Sequence, residues 1–219
     1  MKISKYIHSC LLLEKDGFQL LFDPGKFTFA EDLVKVEQFI KVNAVIITHS
    51  HPDHLDVEQL KAIVKLSGAK IYTNKEVAKE LKESGLSYNL VEAGLFDIGP
   101  FALQAINVKH ENILDSPLPD MQAYLIDGRV LNPADSFGTY DDEFQQPELL
   151  ILPVMAPFTT EIAVAEFADH IKPKAVLPVH DGYAKEFFLK QRYETYSKHF
   201  EKRGIVFHQA MQPGFSISI

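Results

Sequence analysis

Six consecutive residues, His49-Ser50-His51-Pro52-Asp53-His54, carry four side chains able to bind a metal ion, and they follow directly on the apolar segment 44–48. If the chain leaves that segment extended, alternate side chains point to one side, so His49 and His51 project together. Pro52 cannot continue a strand ladder. The backbone therefore turns there and brings Asp53 and His54 round to a neighbouring point. Two imidazoles then serve one ion, while a carboxylate and a third imidazole serve a second. The alternative is a polar loop of solvated histidines. The strand-end position argues against it, because open α/β sheets place ligands beyond the carboxyl ends of their strands.

Three more residues stand just beyond apolar segments: His110 after 101–108, Asp135 three residues past 130–132, and His180 at the end of 175–179. A lone histidine in such a place is weak evidence, and an aspartate in a turn is usually a turn former. With the cluster they make five imidazoles and two carboxylates. Structural zinc takes four protein ligands and catalytic zinc three plus water, so the set suffices for two ions.

The elements that must position these residues are legible in outline. Strands are expected at 44–48, 70–73, 101–108, 123–126, 130–132, 148–152 and 175–179, with Asp127-Gly128 as a tight hairpin turn. Helices are expected at 57–67, capped by Asp56 with Gln59 in capping-box position, and at 75–84 after Asn74. Two more are expected at 160–171 and from about 184 to 203. No linker divides the 219 residues, which favours one compact α/β domain. The order of elements suits two sheets packed face to face with helices outside; pattern alone leaves a doubly wound parallel sheet open.

Composition bounds the partners. A net charge of −8 disfavours general nucleic-acid binding. The longest apolar stretch, 149–158, contains Pro153 and Pro157 and falls far short of the roughly 20 residues of a membrane span. Residues 1–16 lack the pattern of a secretory signal, and the single cysteine, Cys10, permits no intrachain disulfide. A soluble, cytoplasmic protein with a small-molecule substrate is expected, with a homo-oligomer left open.

The run H-x-H-x-D-H after a buried strand resembles the signature of the metallo-β-lactamase superfamily. Further residues extend the resemblance: Asp23 in Leu20-Leu21-Phe22-Asp23-Pro24-Gly25, His110, Asp135 in Ala134-Asp135-Ser136 where many members have Gly-Asp-Thr, and His180 in Leu177-Pro178-Val179-His180-Asp181-Gly182. Ile7-His8-Ser9 is similar to the Gly-His-x-Ser opening of its small lactonase-like branch, with isoleucine in place of glycine. The resemblance implies a four-layer αββα sandwich. It also implies His49, His51 and His110 on one metal, Asp53, His54 and His180 on the other, and Asp135 shared between them. His51 stands where the oxygen-reducing di-iron branch has glutamate, so zinc is favoured over manganese or iron.

A metal-bridging hydroxide would then cleave a small polar or phosphorylated ester or lactone, with Asp53 as proton acceptor. The rival readings are a phosphodiesterase or nuclease and a non-catalytic metal or ligand binder. Asp23 and Asp181 are expected to orient ligand imidazoles. His8 is read either as a contact to a ligand or substrate or as a structural histidine. Phe137, Tyr140, Phe158 and the segment 26–29 are candidates for the pocket wall. The purified protein is expected to bind about two metal equivalents, and His49→Ala or His110→Ala to lower this toward one, since each removes an imidazole from a three-histidine set. Elemental analysis reads the change.

Overall fold

The computed structural model describes residues 1–219 and folds the chain in two halves of like design. In the first, β1 (Lys2–Lys5), β2 (Leu11–Lys15) and β3 (Phe18–Phe22) form an antiparallel meander. The short α1 (Lys26–Phe29) follows, and then β4 (Ala44–Ile47), α2 (Val57–Ser67), β5 (Lys70–Thr73), α3 (Lys75–Glu83) and β6 (Asn89–Leu90) extend the sheet in parallel. In the second half, β7 (Gly94–Ile98), β8 (Phe101–Lys109), β9 (Asp120–Ile126) and β10 (Val130–Asn132) are antiparallel. Parallel additions complete that half: β11 (Leu149–Pro153), α4 (Glu161–Ile171), β12 (Ala175–Val179), α5 (Glu186–Glu201) and β13 (Val206–Phe207). The last strand, β14 (Phe215–Ser218), returns to the first sheet beside β1. Two seven-stranded sheets result, ordered β14-β1-β2-β3-β4-β5-β6 and β13-β12-β11-β10-β9-β8-β7.

Period-two alternation decides how the sheets pack, even in strands that are apolar throughout. In β3, Leu20 and Phe22 join a central cluster with Leu103, Tyr124, Ile151 and Leu177 of the other sheet. Leu21 points the opposite way, toward Leu60 and Ile63 of α2 and Val77 and Leu81 of α3. On the far side Leu131, Leu150 and Val176 meet Val164 and Phe167 of α4 and Tyr193 and Phe200 of α5. The layers are therefore αββα, and the doubly wound alternative is excluded.

Local signals act as expected. Asp56 accepts from the N–H groups of Glu58 and Gln59 to start α2, and Gly68 ends it in the left-handed conformation. Asn74 caps α3 and Thr160 caps α4. Asp127 and Gly128 both take positive φ at the hairpin, as a two-residue turn demands. No helix is long and apolar enough to cross a membrane.

Strand direction determines where chemistry can occur. In the first sheet β1, β3 and β4 all run one way, with β2 reversed; in the second, β8, β10, β11 and β12 share a direction, with β7 and β9 reversed. The candidate residues follow the carboxyl ends of these co-directional strands: His8 after β1, Asp23 after β3, His49 after β4, His110 after β8, Asp135 after β10 and His180 after β12.

Candidate metal centre

The strand ends bring the seven residues of the expected ligand set together. One group comprises His49, His51, His110 and Asp135; a second comprises Asp53, His54 and His180, with His8 beside them. Asp135 lies at the centre. Its Oδ2 is 3.8 Å from Nε2 of His49, 3.3 Å from that of His54, 3.4 Å from that of His110 and 3.0 Å from that of His180.

Each of these rings is held from behind. His110 Nδ1 donates to the carbonyl of Glu111 and His180 Nδ1 to that of Met155, each at 2.6 Å. His54 Nδ1 donates to Asp23 Oδ2 at 2.9 Å. Thr48 Oγ1 gives its own hydrogen to Asp23 at 2.8 Å, so at 3.0 Å it can only accept from His49 Nδ1. Asp23 thus orients a ligand-set imidazole directly and steadies a second through Thr48.

Because the outer nitrogens are committed, the inner ones face the centre. The Nε2 atoms of His54, His110 and His180 and Oδ1 of Asp135 are buried without a hydrogen-bond partner. Buried polar atoms are rarely left so, and this arrangement fits a metal-ion donor set. His49 Nε2 lies 3.2 Å from His51 Nδ1, close to the roughly 3.3 Å separating two nitrogens that share a tetrahedral zinc.

Electrostatics fits the same use. Burial and neighbouring imidazoles hold His49 and His51 below the usual histidine range, and burial beside His180 lowers His8 to about 4. His54 and His180 go the other way. Burial opposes a charge on each, but Asp135 with Asp23 raises His54, and Asp135 with Asp53 raises His180 to about 10. The carboxyls of Asp53 and Asp135 are held well below their ordinary range by these histidines, against the effect of burial. The carboxylates around His54 and His180 therefore favour positive charge at the centre, as a cation there would require.

Above the centre opens a cavity of about 500 Å³ with His51, Asp53, His110, Asp135 and His180 at its floor. Its walls include Phe27, Ile113, Pro157, Phe158 and Tyr183. Phe158 and part of the segment 26–29 lie where expected, but Phe137 and Tyr140 do not. They pack against Phe167 of α4, in the apolar cluster of the outer layer.

The signature of the beta-lactamase superfamily domain matches residues 2–180, from β1 through His180. The chain belongs to the beta-lactamase superfamily. A protein of Aeropyrum pernix named UPF0173 metal-dependent hydrolase is 32% identical over 199 residues, covering 80% of this chain and 80% of its own. A similarly named protein of Methanosarcina barkeri is 27% identical over 234 residues, covering 100% of this chain and 99% of its own. Among solved structures, the metallo hydrolase Igni18 of Ignicoccus hospitalis shares the fold, with a TM-score of 0.73 at 20% identity over 99% of this chain and 97% of that one.

Within this superfamily fold, backbone strain gathers at the centre: His8, Asp23, Ala134 and His180 all take positive φ. Ala134, at +50°, occupies the position where glycine would be relaxed. The structure corrects a further expectation. Asp181 orients no imidazole; its carboxylate turns inward to Lys5 Nζ and the Tyr193 hydroxyl, because a carboxylate buried beneath α5 requires a cation. Lys5 and Tyr193 had no signal in the sequence: Lys5 lies in a segment with little apolar pattern, and Tyr193 is one residue of an ordinary helix.

Gly25, which closes the Asp23 motif, has a role the sequence did not indicate. A Cβ there would lie 2.0 Å from the carbonyl oxygen of Asp53 and 2.5 Å from the N–H nitrogen of His54. Only glycine lets the Asp23 loop press against the ligand loop.

Gly25→Ala, which must push those loops apart, should cost roughly 1–3 kcal/mol in chemical denaturation and weaken metal uptake. Metal binding should release protons from His54 and His180, so apparent affinity falls as pH falls and rises as pH climbs toward about 10. Calorimetric titration in buffers of different ionisation enthalpy counts those protons.

Proposed function

We propose that this protein, a metal-dependent hydrolase of the beta-lactamase superfamily, cleaves a small ester or lactone at a centre of two divalent ions, with zinc the first candidate. His49, His51 and His110 would hold one ion, Asp53, His54 and His180 the other, and Asp135 both. One observation carries this reading: four imidazole nitrogens converge on a single carboxylate oxygen at 3.0–3.8 Å, each ring already committed on its far side. When bound, such ions lower the pKa of water toward about 7 and polarise the bond to be cleaved.

The chain's own groups supply the rest. Asp53 is the carboxylate of the set that remains partly exposed, 20% by side chain, at the cavity floor. It can therefore accept a proton from an attacking water while Asp135, nearly fully buried, cannot reach the cavity as freely. The aromatic and proline walls exclude bulk water and favour apolar groups beside the scissile bond. Lys26 is the one lysine or arginine in that lining. With an overall charge of −8, this arrangement favours a compact acyl substrate over a polyanion such as RNA.

The test combines substrates and a variant. Zinc-loaded protein is expected to hydrolyse small esters or lactones and to leave structured RNA intact. Asp53→Ala, assayed at saturating metal, is expected to remain folded and lose on the order of 10²–10⁴-fold in rate. Hydrolysis by that variant at the parental rate would refute the role of Asp53, and RNA binding that weakens steeply with salt would favour the nuclease reading.

A further inference from the structure

His8 offers a nitrogen within 4.8 Å of the ligand atoms of Asp53, His54 and His180. By distance alone it would complete a four-residue metal site. Its hydrogen bonds exclude this. The backbone N–H of Gly182 can only donate, and it donates to His8 Nδ1 at 3.0 Å. A neutral imidazole that accepts on one nitrogen carries its proton on the other. Nε2 is therefore a donor, aimed at Asp53 Oδ2 at 3.0 Å, with no lone pair left for an ion.

We propose that His8 is a positioning residue, fixed by the Gly182 amide in its Nε2–H form, that holds the Asp53 carboxylate in the orientation needed to bind and work at the second ion. The surroundings have the construction this requires. His8 is completely buried and takes φ of +63°, a conformation that persists only where neighbours enforce it. Its carbonyl accepts from the N–H of His180 at 3.3 Å, so the segments 8 and 180–182 are joined twice. A Cβ on Gly182 would fall 2.8 Å from Ile7 Cγ2 and 2.9 Å from His8 Cβ; glycine lets the amide come this close.

Asp181, between the two contacts, is anchored by Lys5 and Tyr193, and Lys5 Nζ also donates to the carbonyl of Ala210 at 3.1 Å. The buried ion pair that orients no imidazole itself thereby holds the strap that sets the tautomer of His8. The ring of Phe27 meets His8 edge-on, its centroid 5.0 Å away.

The inference deepens the two-ion reading and rests on it for the place of Asp53, so its test separates the two. Long-range proton–nitrogen NMR on the full-length protein reads the tautomer without any substitution: Nε2–H is expected for His8 both without and with zinc. Zinc titration against a competing chelator then compares His8→Ala, His8→Gln and His8→Asn, each checked for folding by thermal melting. In His8→Ala the second zinc equivalent should weaken about 10–100-fold while the first is unchanged. Glutamine, whose amide nitrogen reaches the place of Nε2, should restore most of that loss; asparagine, a methylene shorter, should not.

Equal second-site affinity in His8→Ala and the parent overturns the proposal. So does an Nδ1–H tautomer, or direct zinc coordination by His8. A parent protein that never binds a second zinc refutes the two-ion reading instead, and the metal-free tautomer then still decides whether His8 grips Asp53.

Discussion

An imidazole can present a lone pair inward only if its other nitrogen is satisfied, and that requirement organises this protein. Four rings meet around one oxygen of Asp135, and four separate acceptors stand behind them: the carbonyls of Glu111 and Met155, the carboxylate of Asp23 and the hydroxyl of Thr48. Lacking any one of these, a ring could rotate or change tautomer and the convergence would fail. The acceptors come from segments far apart in the chain. The two sheets must therefore present their co-directional strand ends at the same edge of the sandwich.

Charge imposes the second condition. Asp53 and Asp135 are largely removed from water in a protein that is already acidic, and an uncompensated carboxylate there would be strongly destabilising. His54 and His180, whose pKa values these carboxylates raise, are the groups placed to answer this. Lys5 and Asp181 solve the same problem once more, a short distance behind the ligand shell.

Much of this was visible in the residues themselves. Pro52 signalled the turn that splits the histidine cluster, and Asp23, His110, Asp135 and His180 each followed an apolar run. The central strands were legible because Val, Ile and Leu crowd them. The antiparallel strand β1 was not, since Lys2-Ile3-Ser4-Lys5 has little apolar pattern and gains its place by pairing with β2 and β14. The short strands β6 and β13 carry too few residues to show a period. Asp181 was misread because sequence shows that a carboxylate adjoins a ligand histidine but not which way it turns. Asp181 turns away from the cavity, toward a lysine 176 residues distant. Gly25 and Gly182 were hidden for a related reason: a close approach of two backbones leaves no trace in either segment alone.

The four rear acceptors differ in kind. His110 and His180 lean on main-chain carbonyls, which every amino acid supplies, whereas His49 and His54 lean on the side chains of Thr48 and Asp23. Substitution can therefore reach the basicity of only two of these four rings through their rear acceptors. Over evolutionary time, drift at positions 23 and 48 could alter metal preference through His49 and His54 while the backbone holds the other two rings constant, leaving the centre one adjustable pair and one fixed pair.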